Sequence, residues 1–92
     1  MIMQFEWDLV KNAKNKSKRD IDFNTAKSLW NDENRVEIHA PHPVEDRWSI
    51  IGRIKDRLWT AIYTMRGEII RIISVRRSGI KEAALYEDQN KG

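Results

Sequence analysis

The run Arg66-Gly67-Glu68-Ile69-Ile70-Arg71-Ile72-Ile73-Ser74-Val75-Arg76-Arg77 constrains this chain more than any other stretch. Its centre is apolar, rich in β-branched residues and preceded by glycine, the pattern of a strand covered on both faces. Such a strand has little use for charge, yet it carries Arg71 inside it and Arg76-Arg77 at its exit. Guanidinium groups in that setting cost stability unless they find partners, and their planar forks suit phosphate and carboxylate. Strict alternation puts Arg71, Ile73, Val75 and Arg77 on one side, and Ile70, Ile72, Ser74 and Arg76 on the other. Arg76 and Arg77 then diverge unless the strand bulges or breaks, and Arg66 sits at its opposite end. Two readings follow. Either the arginines hold an anion, or Arg71 pairs an acid such as Glu37 or Glu45 while Arg66 and Arg77 are solvated.

The rest of the chain supplies elements to pack on this strand. Phe5-Glu6-Trp7 alternates as a short first strand. Asp8 is a good N-cap for a helix from Leu9 to about Arg19, with a thin apolar stripe of Val10 and Ala13. Its other faces carry Lys11, Lys14, Lys16, Lys18 and Arg19, either a solvated face or a basic rim beside a binding site. Asp22 caps a second short helix whose Phe23, Ala26, Leu29 and Trp30 are core candidates. Asn31 to Asn34 is a turn, and Arg35 to Ala40 alternates as a half-exposed strand ended by Pro41-His42-Pro43. Further strands are expected at Trp48–Gly52 and Leu58–Met65, with Lys55-Asp56 at the tip between them. Gly67 marks a tight turn that needs positive φ. A last helix runs from Ile80 to about Asp88, docked by Ile80, Ala84 and Leu85, with Glu82 in its first turn and residues 89–92 frayed. The order β, α, α, four closely linked strands, α predicts an α+β fold. It is a small antiparallel sheet of four to five strands with the N-terminal helices and the C-terminal helix packed on it, grouped on one face.

At 92 residues one domain, 1–92, is expected, with a modest core. The 40% hydrophobic and 34% charged fractions argue for a folded chain. A net charge of +3 and a pI near 9.4 are compatible with nucleic acid. No cysteine is present, which excludes disulfides, thiolate chemistry and cysteine zinc sites. No signal peptide or membrane span is expected, so the cytoplasm is the expected compartment. His39 and His42 flank a proline and are not expected to share a metal. Nucleophile-elbow, Gly-rich phosphate-loop and dinucleotide patterns are absent from the sequence. What remains is arginine, lysine and aromatic residues, a combination suited to RNA through phosphate contacts and base stacking. RNA cleavage by its own 2′-OH needs an oriented phosphodiester and stabilised phosphorane charge, which arginines supply without a cofactor. No residue stands out as general base.

Phe5-Glu6-Trp7-Asp8, Ile51-Gly52, Tyr63-Thr64-Met65-Arg66-Gly67-Glu68 and Arg71-Ile72-Ile73-Ser74-Val75-Arg76-Arg77, followed by Glu82 and Tyr86, resemble the BrnT family. The resemblance runs from Phe5 to about Tyr86. It implies a RelE-like fold and a ribonuclease toxin of a type II toxin–antitoxin module that arrests translation. It also implies a BrnA-like ribbon-helix-helix antitoxin as partner, with operator DNA contacted only through that antitoxin. By motif, the functional arginines of the family map onto Arg66, Arg76 and Arg77, expected to be catalytic. Arg71 matches the same string as a structural or phosphate-contacting member, and Lys11, Lys14 and Lys18 of the basic first helix are expected as further RNA-phosphate contacts. The chain departs from the family at Lys18-Arg19-Asp20, where relatives carry Lys-His-Gly. It departs again at Ala83-Ala84-Leu85, where an arginine cluster is common. The alternative is a non-catalytic interaction domain, or an inactive toxin remnant that binds an antitoxin and supports operon repression.

Overall fold

A computed structural model describes residues 2–91. Strand β1 spans Gln4–Trp7, helix α1 Leu9–Arg19 and helix α2 Phe23–Ala26, which tightens into a 3-10 turn at Lys27–Asn31. Strands β2 (Val36–Ala40), β3 (Arg47–Ile54), β4 (Arg57–Arg66) and β5 (Ile69–Arg77) follow, then helix α3 (Ile80–Gln89). The fold is α+β, with one five-stranded sheet in the order β1-β5-β4-β3-β2. Strands β2 to β5 form the expected antiparallel meander, and β1 adds to β5 in parallel, making the sheet mixed. The helix between β1 and the later strands gives the chain room to return in the same direction.

Short turns set the register. Gly67 adopts φ +62 in the two-residue β4–β5 turn, as its position predicts, and Lys55 takes φ 58 at the β3–β4 tip. Asp8 caps α1 by accepting from the Val10 and Lys11 amides, and Asp22 caps α2 by accepting from Thr25.

One face of the sheet is apolar. Ile50, Ala61 and Val75 align across β3, β4 and β5 and pack with Phe23, Ala26, Leu29 and Trp30. Phe5, Trp30, Tyr63, Trp48 and His39 run as a chain of ring contacts, each pair 4.9–5.9 Å apart. Tyr63 donates to the Glu37 carboxylate at 2.6 Å, and burial together with that carboxylate pushes its hydroxyl pKa far up. At Gly52 an added Cβ would stand 3.0 Å from a Leu29 methyl, so the absent side chain lets the 3-10 turn lie close on β3.

Both terminal helices dock differently from expectation. Helix α1 buries no residue; Val10 is 63% exposed, and Ala13 is also exposed. Two asparagines hold it instead: Asn12 accepts from the Phe23 amide, while Asn15 accepts from the Val75 amide and donates to the Ile21 carbonyl. Helix α3 lies on the other sheet face rather than beside α1 and α2. Its Glu82 binds Thr60 and Arg76, which belong to the row Ile51, Thr60, Arg76 that points away from the main core. Tyr86, not Ile80 or Leu85, is its buried residue, and its hydroxyl donates to Asp32 at 2.9 Å. Ile80 is 92% exposed, and Ala84 and Leu85 are exposed as well. Hydrogen bonds at Glu82 and Tyr86 fix the rotation of α3, and its small apolar residues turn outward.

Candidate nucleic-acid interface

The arginine-bearing strand β5 is bulged at Ile73. Ile62 pairs with Ser74 and Tyr63 with Ile72, leaving Ile73 unpaired. An extra residue reverses the side-chain alternation beyond it. Ile70, Ile72 and Val75 therefore all face the core, although strict alternation separates Val75 from the other two. For the same reason Arg71, Ser74 and Arg76 share the outer face. The bulge lies where the neighbour of β5 changes: β1 ends opposite Ile72, and one residue later Asp8 begins the turn into α1. Past that point Asn15 of α1, not a strand, takes the outward amide of Val75.

Between α1 and this unpaired half of β5 runs a groove of about 300 Å³, lined by Lys11, Lys14, Asn15, Lys18 and Arg19 on one wall and Ile73 to Arg76 on the other. Three of the lysines and one of the arginines assigned from sequence thus meet in one place. Asp8 at the N-cap and the basic last turn of α1 also complement its dipole, so the cations serve the helix as well.

Arg76 enters the groove from an ion pair. Its two terminal nitrogens reach the Glu82 carboxylate at 2.6 and 2.7 Å, and that carboxylate also accepts from the Gly79 amide and the Thr60 hydroxyl. The Arg76 hydrogen bonds, helped by the Gly79 and Thr60 donors, hold the Glu82 pKa down to about 2 against partial burial. The same pairing raises the pKa of Arg76. A carboxylate depressed from its ordinary 4.5 stabilises the fold above that value and loses the contribution as pH falls toward 2. Discounted for the half-exposed guanidinium, the effect is about 1–2 kcal/mol. Chemical denaturation across pH 2–5 is expected to show this loss, and Glu82→Gln to shrink it. Asp8, Asp22, Asp32 and Asp46, also lowered, supply the remaining acid sensitivity.

The other assigned arginines spread out. Arg71, on the outer face of β5, pairs with Glu6 of β1 rather than with Glu37 or Glu45. It lies four residues along β4 register from Arg76, roughly 13 Å. Arg66 pairs with Glu45 at 3.2 Å. The register sets it six residues along β4 from Thr60, the partner of Arg76, a separation of roughly 20 Å. Arg77 turns to the helix face, its guanidinium 5.6 Å above the Trp59 ring. Arg66, Arg76 and Arg77 therefore do not converge on one phosphate. The His39 ring contacts Asp46 at 3.1 Å, while His42 donates its backbone amide to the same carboxylate and its ring accepts from the Val44 amide, so the two rings have different partners. Among the described residues no group of three or more His, Asp or Glu is placed to hold a metal ion, and no helix is long and apolar enough to cross a membrane.

The sequence model of one family, described as "Ribonuclease toxin, BrnT, of type II toxin-antitoxin system", matches residues 7–82. The chain belongs to the BrnT family. No curated protein matches it. The match begins at Trp7, the last residue of β1, and takes in both N-terminal helices, the whole meander and Glu82. As a BrnT protein it is a toxin of a type II toxin–antitoxin system with ribonuclease activity, which gives it RNA as substrate and an antitoxin as partner.

Arg19, named from sequence only as part of a basic rim, lines the groove beside the assigned lysines. Sequence reasoning missed two contributors to this surface: Ser74, brought to the outer face by the bulge, and Asn15, which ties α1 to β5. Asn12 and Asn15, three apart in an otherwise basic helix, were the one readable sign of a polar docking face.

Proposed function

We propose that this BrnT toxin binds single-stranded RNA with the sugar-phosphate backbone along the α1–β5 groove, and that Arg76 stabilises the scissile phosphate. The observation that carries this is the meeting of Lys11, Lys14, Lys18, Arg19 and Arg76 around one cleft. Each lysine screens one phosphate of the backbone, and the guanidinium supplies two-pronged donors for the charge that builds on a pentavalent phosphorus. Arg71, roughly 13 Å along the outer face, meets a phosphate farther along the RNA. Arg66 and Arg77, far from Arg76 or on the opposite face, are assigned to flanking RNA rather than to the reacting group. Cleavage runs by attack of the substrate's own 2′-OH and requires no metal. A BrnA-like ribbon-helix-helix antitoxin neutralises the toxin in the cytoplasm, and the pair reaches operator DNA through the antitoxin alone.

A second reading, a binding domain that does not cut, rests on one feature. No histidine or carboxylate is among the residues lining the groove, so no ordinary general base stands there. The two readings part in one assay. The purified toxin, in excess chelator, is expected to shorten single-stranded RNA, and added antitoxin to stop it. RNA that is bound but stays intact at toxin excess establishes the binding domain instead.

A further inference from the structure

Two cavities adjoin at the exit of β5, and successive residues line them. Lys18 and Arg19 line the groove, while Asp20 and Ile21 line a second cavity of about 200 Å³ with Thr25, Ile54, Trp59 and the β3–β4 tip residues Lys55, Asp56 and Arg57. On the strand, Val75 and Arg76 line the groove while Arg77 stands over the Trp59 ring. A strand of RNA that leaves the groove past Lys18 and Arg19 therefore arrives at Trp59.

We propose that Trp59 and Arg77 form a stacking subsite for one nucleobase of single-stranded RNA, next to the nucleotide whose phosphate meets Arg76. This rests on the groove reading above and adds to it the part of the site that touches a base. Trp59 is only partly buried, packed against the edge of the core cluster. Its Arg77 neighbour is exposed and holds its guanidinium carbon 5.6 Å from the ring centroid, within reach of a cation–π attraction. Bases stack on both aromatic rings and guanidinium planes. The cavity rim is mixed in charge, Lys55 and Arg57 alternating with Asp56 and facing Asp20, so the subsite is held by stacking and not by phosphate contacts. The divergence of Arg76 and Arg77 then has a use: adjacent residues on opposite faces of one strand hold the phosphate and the base of neighbouring nucleotides. Which base stacks best there would set the toxin's cleavage preference.

The test uses short 2′-O-methyl RNA, which cannot be cut by 2′-OH attack, and a series in which one position at a time is abasic. Affinities are measured for the wild type, Arg77→Lys, Trp59→Phe and Arg76→Ala. Wild-type protein is expected to bind one abasic member roughly tenfold more weakly than the intact oligonucleotide. Arg77→Lys keeps the charge and removes the plane, so it is expected to erase most of that difference, as is Trp59→Phe in part. Arg76→Ala is expected to weaken intact and abasic RNA by the same factor. If Arg77→Lys discriminates as well as the wild type, the subsite is wrong while the groove stands. If the wild type binds no member of the series, the groove reading fails and takes the subsite with it.

Discussion

Arg76→Ala is expected to end growth arrest when the toxin is expressed without antitoxin. The same change removes the partner of Glu82, leaving its carboxylate with only the Thr60 and Gly79 donors. The fold should therefore lose about 1–2 kcal/mol, which lowers Tm by roughly 4–16 °C in a chain of this size. Loss of arrest by unfolding and loss by chemistry must be told apart. Glu82→Gln breaks the same ion pair but leaves the guanidinium at the groove, so it is expected to cost similar stability and keep growth arrest. If Glu82→Gln is as harmless to cells as Arg76→Ala, the importance of Arg76 lies in the α3 clamp and not in RNA.

Asn15→Ala is the second large effect, and it falls on stability. Asn15 alone joins α1 to both β5 and the chain before α2, through the Val75 amide and the Ile21 carbonyl. Truncation leaves two part-buried backbone groups without partners, at about 1–3 kcal/mol each. Against the roughly 5–10 kcal/mol that a small domain has in total, the helix is expected to detach or the chain to unfold. Val10→Ala offers the contrast. An apolar docking stripe would make it costly, but Val10 is 63% exposed, so a change within about 0.5 kcal/mol is expected. Thermal denaturation of the two variants side by side decides between polar and apolar docking; equal losses would rule out the asparagine anchor.

Much of the architecture was legible because it rests on local signals. Alternation marked the strands, Gly67 marked its turn, and Asp8 and Asp22 marked two helix starts. The parallel seat of β1, the bulge at Ile73 and the outward turn of Ile80 are set by tertiary partners, so nothing in their own neighbourhood announces them. The bulge had the largest consequence, since one unpaired residue carried Ser74 and Arg76 together to the face of Arg71 and sent Arg77 to Trp59. The site was legible in part. The basic helix and Arg76 were named from sequence and share a groove, whereas Arg66 and Arg77, grouped with Arg76 by motif, stand respectively at the other end of the β4–β5 hairpin and on the opposite face of the sheet.

The most direct measurement is RNA cleavage in excess chelator by the wild type and by a protein with Lys11, Lys14 and Lys18 all changed to glutamine. All three side chains are exposed and line the groove, so the fold should be kept. The wild type is expected to cut, and the triple variant to need at least tenfold more RNA, on the order of what three lost phosphate contacts cost. Its cleavage should also respond more weakly to added salt. A triple variant that cuts as the wild type does, at the same RNA concentration and with the same salt dependence, would contradict the groove as the place where RNA binds.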